Sequence, residues 1–155
     1  MFAALAIMAA SCGRTAKIEG TVADAPSSKL VVKALDVNKY QVLDTVATDA
    51  EGRFTYKVNL EKGQPEFVYV YRNGIKLASL LLSEGDKVTV SADTLGHWTV
   101  EGSEECAKLA QVEADFAAAQ AAMAAASQAD LVKEYVNYYR SRVKYVMSNP
   151  YSLTV

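Results

Sequence analysis

The chain has 155 residues, of which 51% are hydrophobic and 22% charged, and its formal net charge is -2. These proportions are ordinary for a globular protein of one to one-and-a-half domains. The slightly acidic balance gives no electrostatic reason to expect nucleic-acid binding. No stretch after Cys12 is long and apolar enough to be a transmembrane helix.

The beginning of the chain has the pattern of an export signal. An uncharged apolar run from Phe2 to Ala10 is followed by Ser11 and Cys12, although no Lys or Arg precedes it. About nine apolar residues are too few to span a bilayer, which takes roughly 20, but they suit the apolar part of a signal peptide. A short apolar run that ends in small residues and a cysteine is typical of a bacterial lipoprotein signal. We therefore predict a signal peptide over residues 1–11, a lipid-anchor linker over residues 12–16, and fatty acid (palmitate) attached at Cys12. The alternative is a buried N-terminal strand or helix with an incidental cysteine.

The chain has two cysteines, Cys12 and Cys106. A Cys12 sulfur held in a thioether to lipid cannot form a disulfide, which leaves Cys106 as a lone thiol in an oxidising compartment. Without lipid at Cys12, a bridge between the two cysteines is the alternative. The sequence has no C-x-x-C pair, so this chain is not predicted to be a dithiol oxidoreductase itself.

Residues 17–102 have an all-β pattern. Short runs of alternating residues recur about every eight to twelve positions, which predicts a mainly β fold, an antiparallel β-sandwich of about eight strands. The run from Phe67 to Tyr71 is apolar on both faces, which favours a central strand covered on each side. The predicted strands are Lys17–Ala23, Leu30–Leu35, Val42–Thr48, Arg53–Val58, Glu66–Tyr71, Ile75–Leu82, Lys87–Ala92 and His97–Glu101.

The residue types of the connections predict particular turns. Asn73-Gly74 is the strongest hairpin signal, because both central residues of a type I′ turn need a positive φ. The segment 49–52, Asp-Ala-Glu-Gly, predicts a tight hairpin connection, and the segment 83–86, Ser-Glu-Gly-Asp, predicts another turn.

After Gly102 the pattern becomes helical, which makes the whole chain α+β. We predict a helical hairpin over residues 103–148, or two helices that wrap the sandwich. Ser103 is the predicted N-cap of the first helix, and the capping-box spacing of Ser127 and Asp130 predicts the start of the second. Asn149-Pro150 ends it, and residues 149–155 are expected to begin a linker to a further C-terminal domain. The two apolar stripes at three-four spacing are Leu109, Val112, Phe116, Ala119 and Met123, then Val132, Val136, Tyr139, Val143 and Val146.

Several short motifs together resemble a known family. They are Ile18-Glu19-Gly20-Thr21-Val22, Asp44-Thr45-Val46, Glu51-Gly52-Arg53-Phe54, the run from Leu80 to Val90, and Val100-Glu101-Gly102-Ser103. Over about residues 17–153 the chain resembles the N-terminal β-sandwich domain of unknown function that precedes thioredoxin-like domains in exported lipoproteins of Bacteroides-type bacteria. The resemblance implies an envelope location and a redox domain downstream, and it assigns no catalytic residue to this segment.

Aromatic side chains are the main candidates for an interface. Amphipathic aromatics mark binding surfaces, but they also fill sandwich cores and the seams between helices and sheets. Packing is the alternative for each of them. The candidate interface residues are Tyr69, Tyr71, Trp98, Tyr138 and Tyr139.

No catalytic set, metal site or cofactor site is predicted. His97 is the only histidine and has no ligand partners at metal-binding spacing, so a structural or surface role is expected. Cys106 lies in the first turn of the predicted helix, beside two glutamates that oppose thiolate formation, and is expected to be an inert, partly buried thiol. The acidic residues near turns are expected to bond their own backbone: Asp44, Asp49, Glu51, Asp86 and Asp93.

Two functions fit these patterns. The first is a non-catalytic N-terminal module of an exported, membrane-anchored thioredoxin-family lipoprotein. In that function Cys12 joins the module to the inner or outer membrane, facing the periplasm or the exterior, and a thioredoxin-like domain or an envelope protein is its partner. The second is a stand-alone surface lipoprotein that binds glycan or protein through sandwich loops and exposed aromatics. Neither function involves nucleic acid or makes this chain an enzyme.

Overall fold

The computed structural model describes residues 14–155 as eight strands followed by two helices. The strands are β1 (Thr15–Val22), β2 (Lys29–Asp36), β3 (Lys39–Ala47), β4 (Arg53–Asn59), β5 (Glu66–Arg72), β6 (Ile75–Leu82), β7 (Lys87–Ala92) and β8 (Trp98–Glu101). The helices are α1 (Glu104–Ala125) and α2 (Leu131–Ser148). The predicted fold class, a mainly β sandwich followed by a two-helix segment, is confirmed.

The strands form two four-stranded sheets. The first sheet has the order β4-β1-β7-β8, and the second has the order β3-β2-β5-β6. The pairs are antiparallel except β1 and β7, which run parallel. β1 starts at Thr15, so the folded sandwich begins inside the segment that was predicted to be linker.

Alternating residues of both sheets fill one core. In β1 the buried positions are Ala16, Ile18, Gly20 and Val22, and the residues that alternate with them are more exposed, as a period of two requires. Val68 and Val70 of β5 face the same core from the second sheet. The inner faces of the two sheets therefore supply the apolar burial that stabilises the fold.

The predicted turns differ in what they connect. Asn73 and Gly74 both have positive φ, 49° and 84°, and join β5 to β6 as the predicted two-residue hairpin. The connection at 49–52 is tight, because the Gly52 N–H donates to the Asp49 carbonyl over 3.1 Å. It is not a hairpin, however, since β3 and β4 belong to different sheets. The prediction of a hairpin there was wrong, because local turn chemistry does not determine which sheet the following strand joins.

The two helices form a hairpin on one side of the sandwich. Ser103 caps α1 by accepting a hydrogen bond from the Cys106 N–H over 3.4 Å, and α1 packs against β6 and β8. Ser127 Oγ accepts the Asp130 N–H over 3.2 Å, as the capping-box spacing predicted, but α2 begins only at Leu131, and the side chain of its N-cap residue, Asp130, makes no capping hydrogen bond. α2 packs against α1, which is the hairpin alternative of the prediction.

The segment after α2 returns to the first turn of α1. Glu105 Oε2 accepts hydrogen bonds from Ser152 Oγ, over 2.7 Å, and from the Leu153 N–H, over 3.0 Å. Ser152 and Thr154 are buried in this contact. Ser152 and Leu153 therefore hold this segment against α1, and the linker to a further domain stays a prediction.

Candidate functional site

The outer face of the second sheet carries an aromatic cluster. Val68 and Val70 of β5 point into the core, so Tyr69 and Tyr71 point outward, where each is half-buried. The Tyr40 ring from β3 meets the Tyr69 ring edge-on, with centroids 5.2 Å apart, and lies 6.3 Å from the Tyr71 ring. We call Lys33, Tyr40, Tyr69 and Tyr71 the tyrosine face.

Lys33 supplies the charge of the tyrosine face. It pairs with Tyr69 across β2 and β5, and its Nζ lies 4.5 Å from the centroid of the Tyr71 ring. A cation held over an aromatic ring is attracted by the electron-rich face of that ring. The arrangement offers rings, hydroxyl groups and one ammonium group to a ligand from outside the sheet.

Burial keeps the hydroxyl groups of this face protonated. Loss of hydration, reinforced by neighbouring Tyr40 and Glu113, raises the pKa of Tyr69 to about 12. Burial also raises the pKa of Tyr71 above its ordinary value. Both phenols are therefore neutral hydrogen-bond donors and acceptors at physiological pH.

Trp98 lies elsewhere, in a cleft between α1 and the start of β8. The cleft has a volume of about 670 Å³, and its lining includes Lys76, Trp98, Glu113 and Phe116. Lys76 Nζ and Glu113 Oε2 form an ion pair of 2.7 Å. Trp98 is partly buried against the core and also lines the cleft, so it contributes to packing as well as to the cleft surface.

The two helix tyrosines are separated by the faces of α2. Tyr138 is half-buried, and its ring centroid lies 5.8 Å from that of Phe116 on α1. Tyr139 points away and is exposed. The five candidate interface residues therefore occupy four different places rather than one site, and only Tyr69 and Tyr71 share a cluster.

The turn acids bond their own backbone, as predicted for the aspartates. Asp49 Oδ1 accepts from the N–H groups of Glu51 and Arg53, and Asp93 Oδ1 accepts from Leu95 and His97. Asp44 and Asp86 also accept from backbone N–H groups, and Glu51 pairs instead with the Arg53 guanidinium.

His97 is exposed, and its Nδ1 lies 2.7 Å from Asp93 Oδ2, which fits the expected surface role. The hydrogen bond from His97 is the main cause of the lowered pKa of Asp93. Within residues 14–155, no group of three or more His, Cys, Asp and Glu side chains is placed to hold a metal ion.

Cys106 is a core residue rather than a reactive one. Its side chain is fully buried, and its Sγ donates to the Leu81 carbonyl over 3.2 Å. Burial, assisted by Asp86 and Glu105, raises the pKa of the thiol. The expected inert thiol is thus more deeply buried than the sequence indicated.

We predict slow thiol chemistry at Cys106. In a Cys12→Ser chain at neutral pH, a disulfide reagent should label Cys106 on the order of a hundred times more slowly in the folded protein than in urea, because labelling requires local opening. Absorbance after mixing with the reagent measures the rate. Rapid stoichiometric labelling of the folded chain would contradict the burial of this thiol.

Cys12, the predicted lipid-attachment residue, lies outside the described residues. Its predicted thioether and the alternative bridge to Cys106 stay predictions. None of the helices described between residues 14 and 155 is long and apolar enough to cross a bilayer.

Together, the two-sheet sandwich, the α-helical hairpin and the outward tyrosine face define a β-sandwich domain with an accessory helical layer. The model of the family described as domain of unknown function DUF4369 matches residues 16–109, from β1 into the first turns of α1. The chain belongs to this family. α2 lies outside the matched residues.

Other comparisons add little. A comparison with curated proteins gives no match. Among solved structures, one described as the crystal structure of a Gram-negative toxin is similar at 11% identity, with a TM-score of 0.28. That match covers 57% of this chain and 23% of the toxin chain.

Proposed function

We propose that this chain is the non-catalytic N-terminal module of an exported, membrane-anchored thioredoxin-family lipoprotein, and that it positions or presents a downstream redox domain. The observation that carries the proposal is the apolar run that ends at Ser11-Cys12, directly before the strand that begins at Thr15. A lipid on Cys12 would hold the sandwich close to a membrane surface.

The motifs shared with the lipoprotein domains support the rest of the proposal. The residue pattern from Leu80 to Val90 and the Val100–Ser103 entry to the helix are the parts that resemble domains placed before a thioredoxin-like domain. In this proposal the partners are the membrane, through Cys12, and a thioredoxin-like domain or an envelope protein. The location is the cell envelope.

Fatty-acid labelling tests the anchor. In an exporting bacterial host grown with an alkyne-tagged fatty acid, the protein should carry the tag and sediment with membranes. Cys12→Ser should abolish the tag, and Cys106→Ser should leave it unchanged, because only Cys12 follows the apolar run. Equal labelling of the Cys12→Ser chain would contradict lipid attachment at this residue.

The nucleotide sequence that follows the codon for Val155 tests whether a redox domain is joined to this chain. A C-x-x-C motif within the next couple of hundred codons of the reading frame after Val155 would support the presentation of a redox domain. A stop codon directly after Val155 would count against it and would favour the second function.

The tyrosine face favours the second function, the binding of glycan or protein. Its three rings and one ammonium group lie on the outer face of the second sheet, with Lys33 on β2, Tyr69 and Tyr71 on β5, and Tyr40 on the edge strand β3. Aromatic residues carry much of the binding free energy of interfaces.

A glycan and envelope-peptide array tests this second function. The affinity of the protein for a bound ligand should fall about tenfold with Tyr40→Ala or Tyr71→Ala, and should change little with Tyr135→Ala. The absence of any bound ligand on the array would count against this function.

A further inference from the structure

α2 has its apolar side turned away from the protein. Its half-buried positions include Glu134, Tyr138, Arg142 and Tyr145, which lie on the side of the helix that carries the contact between Tyr138 and Phe116 of α1. The other side carries an exposed stripe at three-four spacing, in which Val132 is 69% and Tyr139 is 62% exposed. We call this set the outer stripe: Val132, Tyr135, Tyr139, Val143, Val146 and Met147. A helix of a globular domain usually places its apolar stripe against the core, so this stripe needs another partner.

Basic side chains follow the outer stripe. With about 100° of rotation per residue, Lys133, Arg140 and Lys144 fall along one side of the stripe, whereas Arg142 lies on the half-buried side that faces α1. α2 thus has four basic residues against one acidic residue, Glu134, and a local charge of +3 in a chain whose net charge is -2. A helix with an apolar stripe and a basic border is typical of a membrane surface.

The charge and shape of α2 favour an anionic surface over a second copy of the chain as the binding partner of the outer stripe. A second copy docked stripe to stripe would bring Arg140 and Lys144 of both copies together, and like charges oppose such a contact. An anionic surface would neutralise them. The stripe extends about 22 Å along a convex helix, which suits a flat surface, and tyrosines are favoured where an apolar region meets water.

We propose that α2 lies in the interfacial region of a bilayer that contains anionic phospholipid, with the outer stripe among the acyl chains and the basic residues Lys133, Arg140 and Lys144 at the headgroups. This inference goes beyond the proposed function, because it concerns α2 alone and requires no lipid on Cys12. The family match does not include this helix.

If Cys12 carries lipid, as the proposed function states, the membrane lies near the start of β1. The C-terminal end of α2 lies at that same end of the domain. Leu153 and Ser152, just after α2, bond to Glu105 in the first turn of α1. The backbone at Gly102, which precedes that turn, lies against Lys87, the register partner of Lys17 in β1. The C-terminal end of α2 and the start of β1 therefore lie at the same end of the domain.

Vesicle binding tests the proposal on the whole chain with Cys12→Ser, so that no lipid anchor contributes. The chain should sediment with vesicles of equal parts phosphatidylcholine and phosphatidylglycerol, and about tenfold less with pure phosphatidylcholine or in high salt. Tyr139→Ser with Val143→Ser should lower the partition coefficient about tenfold. The matched control is Val42→Ser with Ile75→Ser, two apolar residues at similar exposure (57% and 41%) on the sandwich, which should have little effect.

Removing two basic residues of α2 tests the electrostatic part of vesicle binding independently. Arg140→Gln with Lys144→Gln should reduce binding to the anionic vesicles about tenfold, whereas Lys29→Gln with Lys62→Gln, on exposed residues of the sandwich, should not. Circular dichroism confirms that each variant is folded. Unchanged binding of both α2 variants, or equal losses in the controls, would overturn the proposal. A dimer in sedimentation without vesicles, abolished by the stripe variant, would also overturn it and would assign the stripe to a second copy.

Discussion

Gly52→Ala should lower the free energy of unfolding by about 2–4 kcal/mol. Gly52 has a φ of 78°, and a Cβ at this position would overlap the Val22 carbonyl oxygen. The left-handed conformation alone costs an alanine about 1–2 kcal/mol, and crowding in a packed region adds a similar amount. Neither backbone moves away easily, because the Val22 N–H donates to the Gly52 carbonyl over 2.9 Å. Urea unfolding followed by circular dichroism measures the loss.

Gly63→Ala is the matched control for this prediction. Gly63 has a φ of 67°, and a Cβ built there meets nothing within 4 Å. Only the conformational cost applies, so the expected loss is about 1 kcal/mol. Equal losses at the two positions would mean that the close approach of the turn to β1 contributes nothing to stability.

Glu105→Gln should release the segment that follows α2. The Glu105 carboxylate accepts from Ser152 Oγ and the Leu153 N–H, and Lys108 Nζ lies 3.0 Å from its other oxygen. Hydrogen bonds to a charged group are worth about 1.5–3 kcal/mol, so the opening equilibrium of this segment should rise about tenfold or more. Hydrogen exchange at the Leu153 amide measures that opening. Glu104→Gln, one residue away with a side chain that is 82% exposed, should have little effect.

The same contact should depend on pH. Burial alone would raise the pKa of Glu105, but the hydrogen bonds from Ser152, Lys108 and Leu153 outweigh it and hold the pKa below its ordinary value of 4.5. A carboxyl whose pKa is lowered by folding stabilises the folded state above the unfolded pKa, and this contribution is lost as the pH falls through the folded pKa. The Leu153 amide chemical shift should therefore titrate with a midpoint below 4.5. A midpoint above that value would falsify this assignment of the contact.

The strands of this fold are encoded locally, but their arrangement is not. Alternation within β1 and the Asn73-Gly74 pair depend on neighbouring residues, so both could be predicted from the sequence. The crossing from β3 to β4 between sheets depends on which distant strand offers an apolar partner. The parallel pairing of β1 with β7 has the same origin, since no residue of β1 specifies a partner far along the chain.

The candidate site residues could also be predicted only where they are close together in the sequence. Tyr69 and Tyr71 were predicted because they share one side of a short strand. Tyr40 was missed because the third strand was predicted to begin at Val42, whereas it begins at Lys39. The stripe predicted for α2 shares Val132, Tyr139, Val143 and Val146 with the outer stripe. It included Val136, which is half-buried, and missed Tyr135 and Met147, and the exposure of the stripe was not foreseen. Apolar spacing indicates which residues share a face of a helix and does not indicate which element covers that face.

The parallel pairing of β1 with β7 also has a kinetic consequence. Ile18 of β1 is the register partner of Val88, so the strand formed first during synthesis gains its second neighbour only after more than half of the chain is available. Bringing such distant segments together costs chain entropy before any contact offsets it, and chains dominated by distant pairings fold slowly. The domain is therefore expected to fold late and cooperatively, rather than strand by strand as the chain emerges.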